Sequence, residues 1–567
     1  MLTTLTAPAF AGTWYIEDGD ITISAGESGN NVTQNENTTE NDPDTIITNR
    51  EEGASSHTVT IDAKDKDDKV EVTLKDVNID TSKQSKAAVS VTGKGDTTIE
   101  LDGDNELQGG DKHAGLEHNQ TVDSEGNVTS GKLTIQDDND NAGSLTATGV
   151  YFGAGIGGGS AKAGQVTITG GTITAISGDG AGIGGGQGNM GSNAGNADIE
   201  ISGGTIEATG GYTSAGIGGG YYGDATIKIT GDAVIKNAAG GFFGAGIGGG
   251  GGGNGDITIS GNAKIENAQG GYAGSGIGGG YGASGTVAIK DDSTVTATGG
   301  EVGAGIGGGV GGLADITIEG NATVNATGGV GSAGIGGGAD AENDEDDGNG
   351  NQISIKSNES GAPTVNATGG VSDVDNAGET IPGGAGIGSG VGDATAEITI
   401  EGKVTIVAKA GESNAAIGDM NGEQVFTGLD GSITRYDSEG NDTTLPTDPG
   451  YPVPADTSSS GGGSAGASVQ ESVFPGLIVT DKDGQRISYT SIRGNNVLSL
   501  RVGRFTASLH ASLSTLRQLR AEGIDTITFQ TILCSTTLSV DELLAMGGED
   551  AEAVLTHRLT ASSLTVG

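Results

Sequence analysis

The chain has 567 residues, 112 of them glycine, with a hydrophobic share of 33%, aromatics at 3%, a single cysteine and a formal net charge of −47. So little apolar material excludes a large layered globular core, and glycine far above the usual share of about 7%, without a three-residue period, is not that of collagen. The charge excludes a nucleic-acid binder that works by counterion release, because no basic face exists to meet phosphates.

Arg50 is the only arginine before residue 435, so an acidic polymer would have to be bridged by cations. The lone Cys534 permits no intramolecular disulfide and reads as a small buried hydrophobe in a strand. No run of about 20 apolar residues is present, so no segment is expected to span a membrane.

Residues 1–11 end in a small-x-small pattern, as a signal-peptide cleavage site does, and read as a truncated signal-peptide remnant. From 12 to 150 the chain is strand-rich but irregular. Alternating apolar residues mark strands at 20–23, 58–61, 70–79, 87–91, 97–101 and 132–135, read as opening coils. The phrases carried by Val70, Val72, Leu74, Val77 and Ile79, then by Ala88 and Val91, by Ile99, Leu101 and Leu107, by Ala114 and Leu116, and by Leu133 and Ile135 resemble a known family. It is the carbohydrate-binding β-helix family of clostridial cell-surface proteins, similar in fold to polysaccharide lyases. The resemblance covers about 55–150. It implies binding of plant-type polysaccharide with calcium support and without lyase chemistry. No site residue is carried over from it.

From 151 to 440 the organising element is Gly153-Ala154-Gly155-Ile156-Gly157-Gly158-Gly159, with close copies around Ile183, Ile217, Ile247, Ile277, Ile306, Ile335 and Ile387 and a degenerate one around Ile417. These isoleucines recur about every thirty residues, with one wide gap between Ile335 and Ile387 that holds two polar insertions. Such self-similarity marks a repeat array, and these glycine arrays look like repeats of large surface proteins of gut Firmicutes. In one unit Val287 and Ile289, then Val295 and Ala297, then Ala304 and Ile306 alternate with polar or glycine residues, giving three short strands separated by glycine turns. A propeller blade needs about 40 or more residues and four antiparallel strands. Tandem hexapeptide and calcium-nonapeptide patterns are missing. The expected fold is all-β: a parallel, right-handed β-helix with about 30 residues per coil, apolar residues stacked rung on rung about 4.8 Å apart.

Two acidic turns suit a hard cation that takes oxygen ligands. One holds Asp137, Asp138 and Asp140; the other, in the first insertion, holds Asp344, Asp346 and Asp347. They are the candidate Ca²⁺ ligands, against the alternative of solvated acidic loops. Catalysis has less behind it: no arginine stands ready as a lyase base, and Asp291 and Asp292, as chain neighbours, point apart. His57, His113 and His118 read as surface residues. The glycine runs open no helix and precede no Lys-Ser/Thr, so they are not phosphate loops.

The scarce aromatics share a phase. Tyr151, Tyr212, Phe242 and Tyr272 lie five residues before the repeat isoleucine, Phe152 and Phe243 four before, and Tyr221 and Tyr281 four after. Stacked coils would align the first six into a ladder along which a sugar chain could lie, or into a stack that merely plugs the turn.

Residues 441–470, rich in proline and then serine and glycine, read as a linker. Residues 471–567 regain arginine and helix periodicity and read as a small α+β domain. In it Leu513, Leu516 and Leu519 form one helical face ending at Gly523, and Ser539 and Glu542 form a capping box. The expected protein is a monomer outside the cell, at the bacterial surface, that binds a polysaccharide or another glycan without enzymatic activity. An adhesive stalk without sugar binding is the second reading, and a lyase or hydrolase the third.

Overall fold

The computed structural model describes residues 12–139, 141–188, 195–343, 349–374, 380–426, 429–451, 477–480, 486, 490–494, 496–502, 506–521, 523–531, 535–546, 552–558 and 561–566. Two compact units divide the chain, the first ending at Pro452 and the second beginning at Val453.

The first unit is a parallel β-solenoid with three faces. A typical coil runs through a five-residue strand on the first face (Gly255–Ile259), a six-residue strand on the second (Lys264–Gln269) and a two-residue strand on the third (Ile277–Gly278). Each strand pairs in parallel with its equivalent one coil away: Ile257 with Val287, Ile265 with Val295, Ile277 with Ile306. Alternate side chains therefore point inward and stack on like residues of the next rung. The result is one slender core from Ile16 to Ile433 whose members are nearly all sealed from solvent. Each inward isoleucine contributes about 1.5–3 kcal/mol of burial, which is how a chain so poor in apolar residues supports a long rod.

The isoleucine ladder is longer than the glycine motif. From Ile417 it runs back through every repeat isoleucine to Ile156 and then continues through Leu116, Val89 and Val59 to Ile21, thirteen rungs in register. The irregular coils before 150 are thus the same solenoid. The 13-residue strand Asp96–Gln108 joins its first two faces, pairing with Lys69–Lys75 and then with Asn78–Asp80 of the preceding coil.

The third face explains the glycines. Gly248 sits at φ +139, and a Cβ there would lie 1.9 Å from the carbonyl oxygen of Gly278, the equivalent residue one coil on. Only glycine tolerates both that backbone and that approach. Outside this strand the loops before and after it meet in a second layer: Gly251 N–H donates to Thr213 O at 2.7 Å and Tyr281 N–H to Phe243 O at 2.9 Å. Residues 244–250 are accordingly buried although they carry almost no side chain. At the turn entering the first face, Asn196, Asp224, Asn254 and Ser284 each accept a backbone N–H of the following coil through a side-chain oxygen.

At both ends of the rod further segments pack on the terminal coils. At the start, Asn30–Gln34 and Asn37–Asp42 fold back as antiparallel strands beside Ile21–Ala25. At the finish, residues 441–451 do not behave as the linker that their prolines suggest. They pack on the last coil: Thr444 and Asp448 are buried, and Pro449 O accepts the N–H of Ile433.

Among the described residues the second unit holds two four-stranded sheets and two helices. One sheet orders Leu477–Thr480, Thr506–Ser512, Glu552–Arg558 and Ala561–Val566, all antiparallel. The helix Leu513–Ala521 buries Leu513, Leu516 and Leu519, the face expected from their spacing, and Ser539 caps the helix Val540–Met546 through the N–H of Glu542. Cys534 lies outside the described residues.

Candidate functional site

The shared phase of the aromatics becomes a patch on the outer layer of the third face. Tyr212, Phe242 and Tyr272 occupy one place in three consecutive coils, and their rings stack: Tyr212 on Phe242 at 5.4 Å and 17°, Phe242 on Tyr272 at 4.7 Å and 6°. Phe243 meets Tyr212 and Phe242 edge-on at 5.7 and 4.9 Å. Across the seam of the two loops lie Tyr221, Tyr222 and Tyr281, with Phe243 at 5.3 Å from Tyr281. Phe243 fills the place of the aromatic that Gly251 lacks, for a Cβ on Gly251 would touch the Phe243 Cβ at 2.7 Å and the Tyr221 ring at 3.5 Å. Seven of the chain's nineteen aromatics are thus gathered between 212 and 281.

Tyr151 and Phe152 are not part of this group. Among aromatic rings they meet only each other, at 6.5 Å and 41°, because the coil between Tyr151 and Tyr212 carries no aromatic in this loop. The phase that revealed the first row also held Tyr221 and Tyr281. Tyr222, whose hydroxyl accepts from Tyr221 at 3.2 Å, had no such signal.

Stacking has a chemical consequence. Phe242 spends both ring faces on its neighbours, so within the row only outer edges and the two end faces are open to a ligand. Tyr212 remains 55% exposed, Tyr272 41% and Phe242 38%.

Of the candidate calcium ligands, Asp140, Asp344, Asp346 and Asp347 lie outside the described residues. Asp137 and Asp138 sit in a turn organised by Glu100 of the previous coil, whose Oε1 accepts the N–H groups of Asp138 and Asn139 at 2.8 and 3.0 Å. Asp137 Oδ2 accepts Gly143 N–H at 3.1 Å, while its Oδ1 is buried without a partner. Among the described residues no three His, Cys, Asp or Glu side chains converge as metal ligands would, whereas a calcium ion takes six to eight oxygens. Asp291 and Asp292 do point apart: the first accepts Gly261 N–H of the preceding coil and the second the Asn321 amide of the following one.

His118, expected at the surface, is buried. It pairs in register with Val91, which directs its ring inward, a position concealed in the sequence by the shortness of the strand Leu116–His118. Nε2 faces the carbonyl of Gly131 at 2.9 Å and therefore carries the hydrogen, and Nδ1 has no partner. Burial pushes the imidazole down to about 4. Below pH 6.5 the unfolded chain takes a proton that the folded ring refuses until about 4, so stability falls across that window by up to about 3 kcal/mol and levels off beneath it. His113, held above its ordinary value by Glu117, acts with the opposite sign. The check is the drop in melting temperature between pH 6.5 and 4.5, which shrinks in a His118→Leu variant; an equal drop in both would remove the buried ring as its cause.

A polar cleft of 420 Å³ opens on the first face, lined among others by Lys66, Lys94, Asp96, Lys132, Gln165 and Asp198. None of the aromatics reaches it. Desolvation holds the Asp198 carboxyl above its ordinary value, and Lys132 is paired with Glu200 at 3.3 Å.

No helix among the described residues is long and apolar enough to cross a membrane. No curated protein and no solved structure matches the chain. Five stretches, 141–160, 166–187, 199–221, 287–310 and 316–339, match the family described as beta helix repeat. Each falls on the stacked coils, and together with the rung-on-rung pairing they show the first unit to be a β-helix built of repeats.

Proposed function

We propose that the solenoid binds carbohydrate outside the cell, without cleaving it, through the aromatic patch of Tyr212, Tyr221, Tyr222, Phe242, Phe243, Tyr272 and Tyr281. The observation that carries this reading is the concentration of seven of the chain's nineteen aromatics, most of them partly exposed, on three coils. An exposed apolar patch marks an interaction surface, and aromatic edges and end faces beside the Tyr hydroxyls combine apolar and polar recognition as sugar sites do. The mutual covering of ring faces favours a second reading, a stack that only stiffens an adhesive stalk.

A glycan array followed by titration of the full chain and of a Tyr212→Ala/Phe243→Ala/Tyr272→Ala variant separates the two. Binding predicts at least a tenfold loss of affinity with a modest fall in melting temperature. A stalk predicts a large fall in melting temperature and no glycan hit for the unaltered chain. Repeating the titration with calcium chelated tests the proposed support by Ca²⁺, which is rejected if affinity and melting temperature stay where they were. Products in the same samples would reveal cleavage.

A further inference from the structure

We propose that the polar cleft on the first face binds a short extended peptide with free ends, its carboxylate taken by Lys66 and Lys94 and its ammonium by Asp198. None of the aromatics lines this cleft, and its ligand is distinct from the glycan of the aromatic patch.

Register builds the floor. Lys132 N–H donates to Asp96 Oδ1 at 3.0 Å, and the residues that follow these two, Leu133 and Thr97, pair with each other. Thr134 pairs with Thr167, and one coil on Gln165 pairs with Asp198 and Thr167 with Glu200. The outward side chains of Asp96, Lys132, Gln165 and Asp198 therefore form one row across four coils, with Thr167 and Glu200 in the row beside it. Four coils span three rungs, about 14 Å at about 4.8 Å each. The turns that enter this face stack in the same order: Lys94 N–H donates to Ala63 O at 2.8 Å and Gly131 N–H to Gly93 O at 3.2 Å. They bring Lys66, Lys94 and Ser130 to the cleft from successive coils. Ser130 Oγ donates to Gln165 Oε1 at 3.1 Å and so ties the turn to the floor.

The charges are sorted along the row. Lys66, Lys94 and Lys132 come from the early coils and Asp198 and Glu200 from the last, in a chain with 74 acidic residues against 27 basic. Part of this set is already matched. Asp96 accepts the Lys132 N–H, and Lys132 Nζ reaches across the floor to Glu200 at 3.3 Å, where Lys228 joins it at 3.5 Å. Lys66, Lys94 and Asp198 are in no ion pair among the described residues. Desolvation holds the Asp198 carboxyl up against a hydrogen bond from Gln165, so a cation arriving there supplies what the protein does not. The cleft thus calls for a negative group at one end and a positive group at the other. A polyanion would meet Asp96, Asp198 and Glu200 along with the lysines, whereas a zwitterion meets each end with its opposite. Both contacts are charge-assisted hydrogen bonds. Length agrees as well, because an extended peptide covers about 3.3–3.6 Å per residue and about four residues reach from end to end. Between the ends Ser130 and Thr167 offer hydroxyls to the N–H and C=O groups of the peptide.

The test titrates the full chain at low salt with tetra-alanine in three forms: both ends free, N-terminus acetylated, and C-terminus amidated. The free-ended peptide binds, and each blocked form binds at least tenfold more weakly. The two ends are read by different residues, so the variants separate them. Lys66→Gln/Lys94→Gln binds the free and amidated forms alike, and Asp198→Asn binds the free and acetylated forms alike, each with the melting temperature unchanged because these side chains stand outside the core. The proposal is overturned if the unaltered chain binds none of the three forms, if it binds all three equally, or if the variants keep its preferences. Tri-galacturonate bound more tightly than tetra-alanine, and weakened by Lys66→Gln/Lys94→Gln, would overturn it in favour of an acidic glycan.

Discussion

Replacing Gly248 by alanine lowers the stability of the surrounding coils by more than about 3 kcal/mol, whereas the same change at Gly282 costs about 1 kcal/mol. Both glycines have positive φ, +139 and +68, so both replacements carry the backbone penalty of about 1–2 kcal/mol for an L-residue in that region. They differ in what the new methyl group meets. At Gly282 nothing lies within 4 Å, while at Gly248 the Gly278 oxygen lies at 1.9 Å and its carbon at 2.9 Å, both backbone atoms of the next rung. Relief requires spreading two coils, which breaks the hydrogen bonds of Gly249 N–H to Gly278 O and of Ile247 N–H to Gly276 O and opens voids around Ile247 and Ile277. Guanidinium midpoints followed by far-UV circular dichroism report the difference. Equal midpoints for the two variants would mean that the glycine runs serve flexibility and not close approach.

The isoleucine ladder was legible because nine of its rungs carry the same residue at nearly constant spacing. Its earlier rungs could be read as strands but not aligned with it, since Leu116, Val89, Val59 and Ile21 lack a constant residue and the Gly-Gly-Gly run that follows most of the later isoleucines. What identifies them is register, and register lies in the pairing of coils, not in the string. The strand Asn37–Asp42 was hidden for another reason: four of its six residues are exposed, so it shows no apolar alternation. At the candidate site, spacing revealed which aromatics share a row. It did not reveal that stacking would cover the faces of Phe242, because ring orientation depends on side-chain rotamers that periodicity does not encode. The insertion of Phe243 over Gly251 is likewise a contact between coils. His118 and residues 441–451 were misread by composition alone: a histidine in a polar context was placed outside, and prolines were taken for a spacer, although a solenoid needs its last rung covered.

Breaking the buried pair of Arg435 and Asp448 unravels that cover. Along the second face alanine occupies one inward position in nine successive rungs, from Ala147 to Ala408, and at the tenth the place is taken by Arg435, with no exposed side-chain surface. Its Nε and Nη2 donate to the two oxygens of Asp448 at 2.7 and 2.9 Å, Nη1 donates to Glu423 and to Ile417 O, and Nη2 to Gln424 O at 2.8 Å. The guanidinium thereby ties the last second-face strand, the hairpin after Ile417 and the segment 441–451 into one plug. Removing one partner strands a charge in the core, which costs about 3–5 kcal/mol. Asp448→Ala leaves the arginine with Glu423 alone, and Arg435→Ala extends the alanine ladder but abandons Asp448. Each single variant therefore loses amide protection at 432–436 and gains proteolytic cuts between 436 and 452, while the double variant Arg435→Ala/Asp448→Ala recovers most of the protection. Because each coil contacts only its neighbours, protection at Ile257 and Ile289 stays unchanged in all three. Full protection in both single variants, or a double variant no better than either, would show that packing and not the ion pair holds the end of the rod.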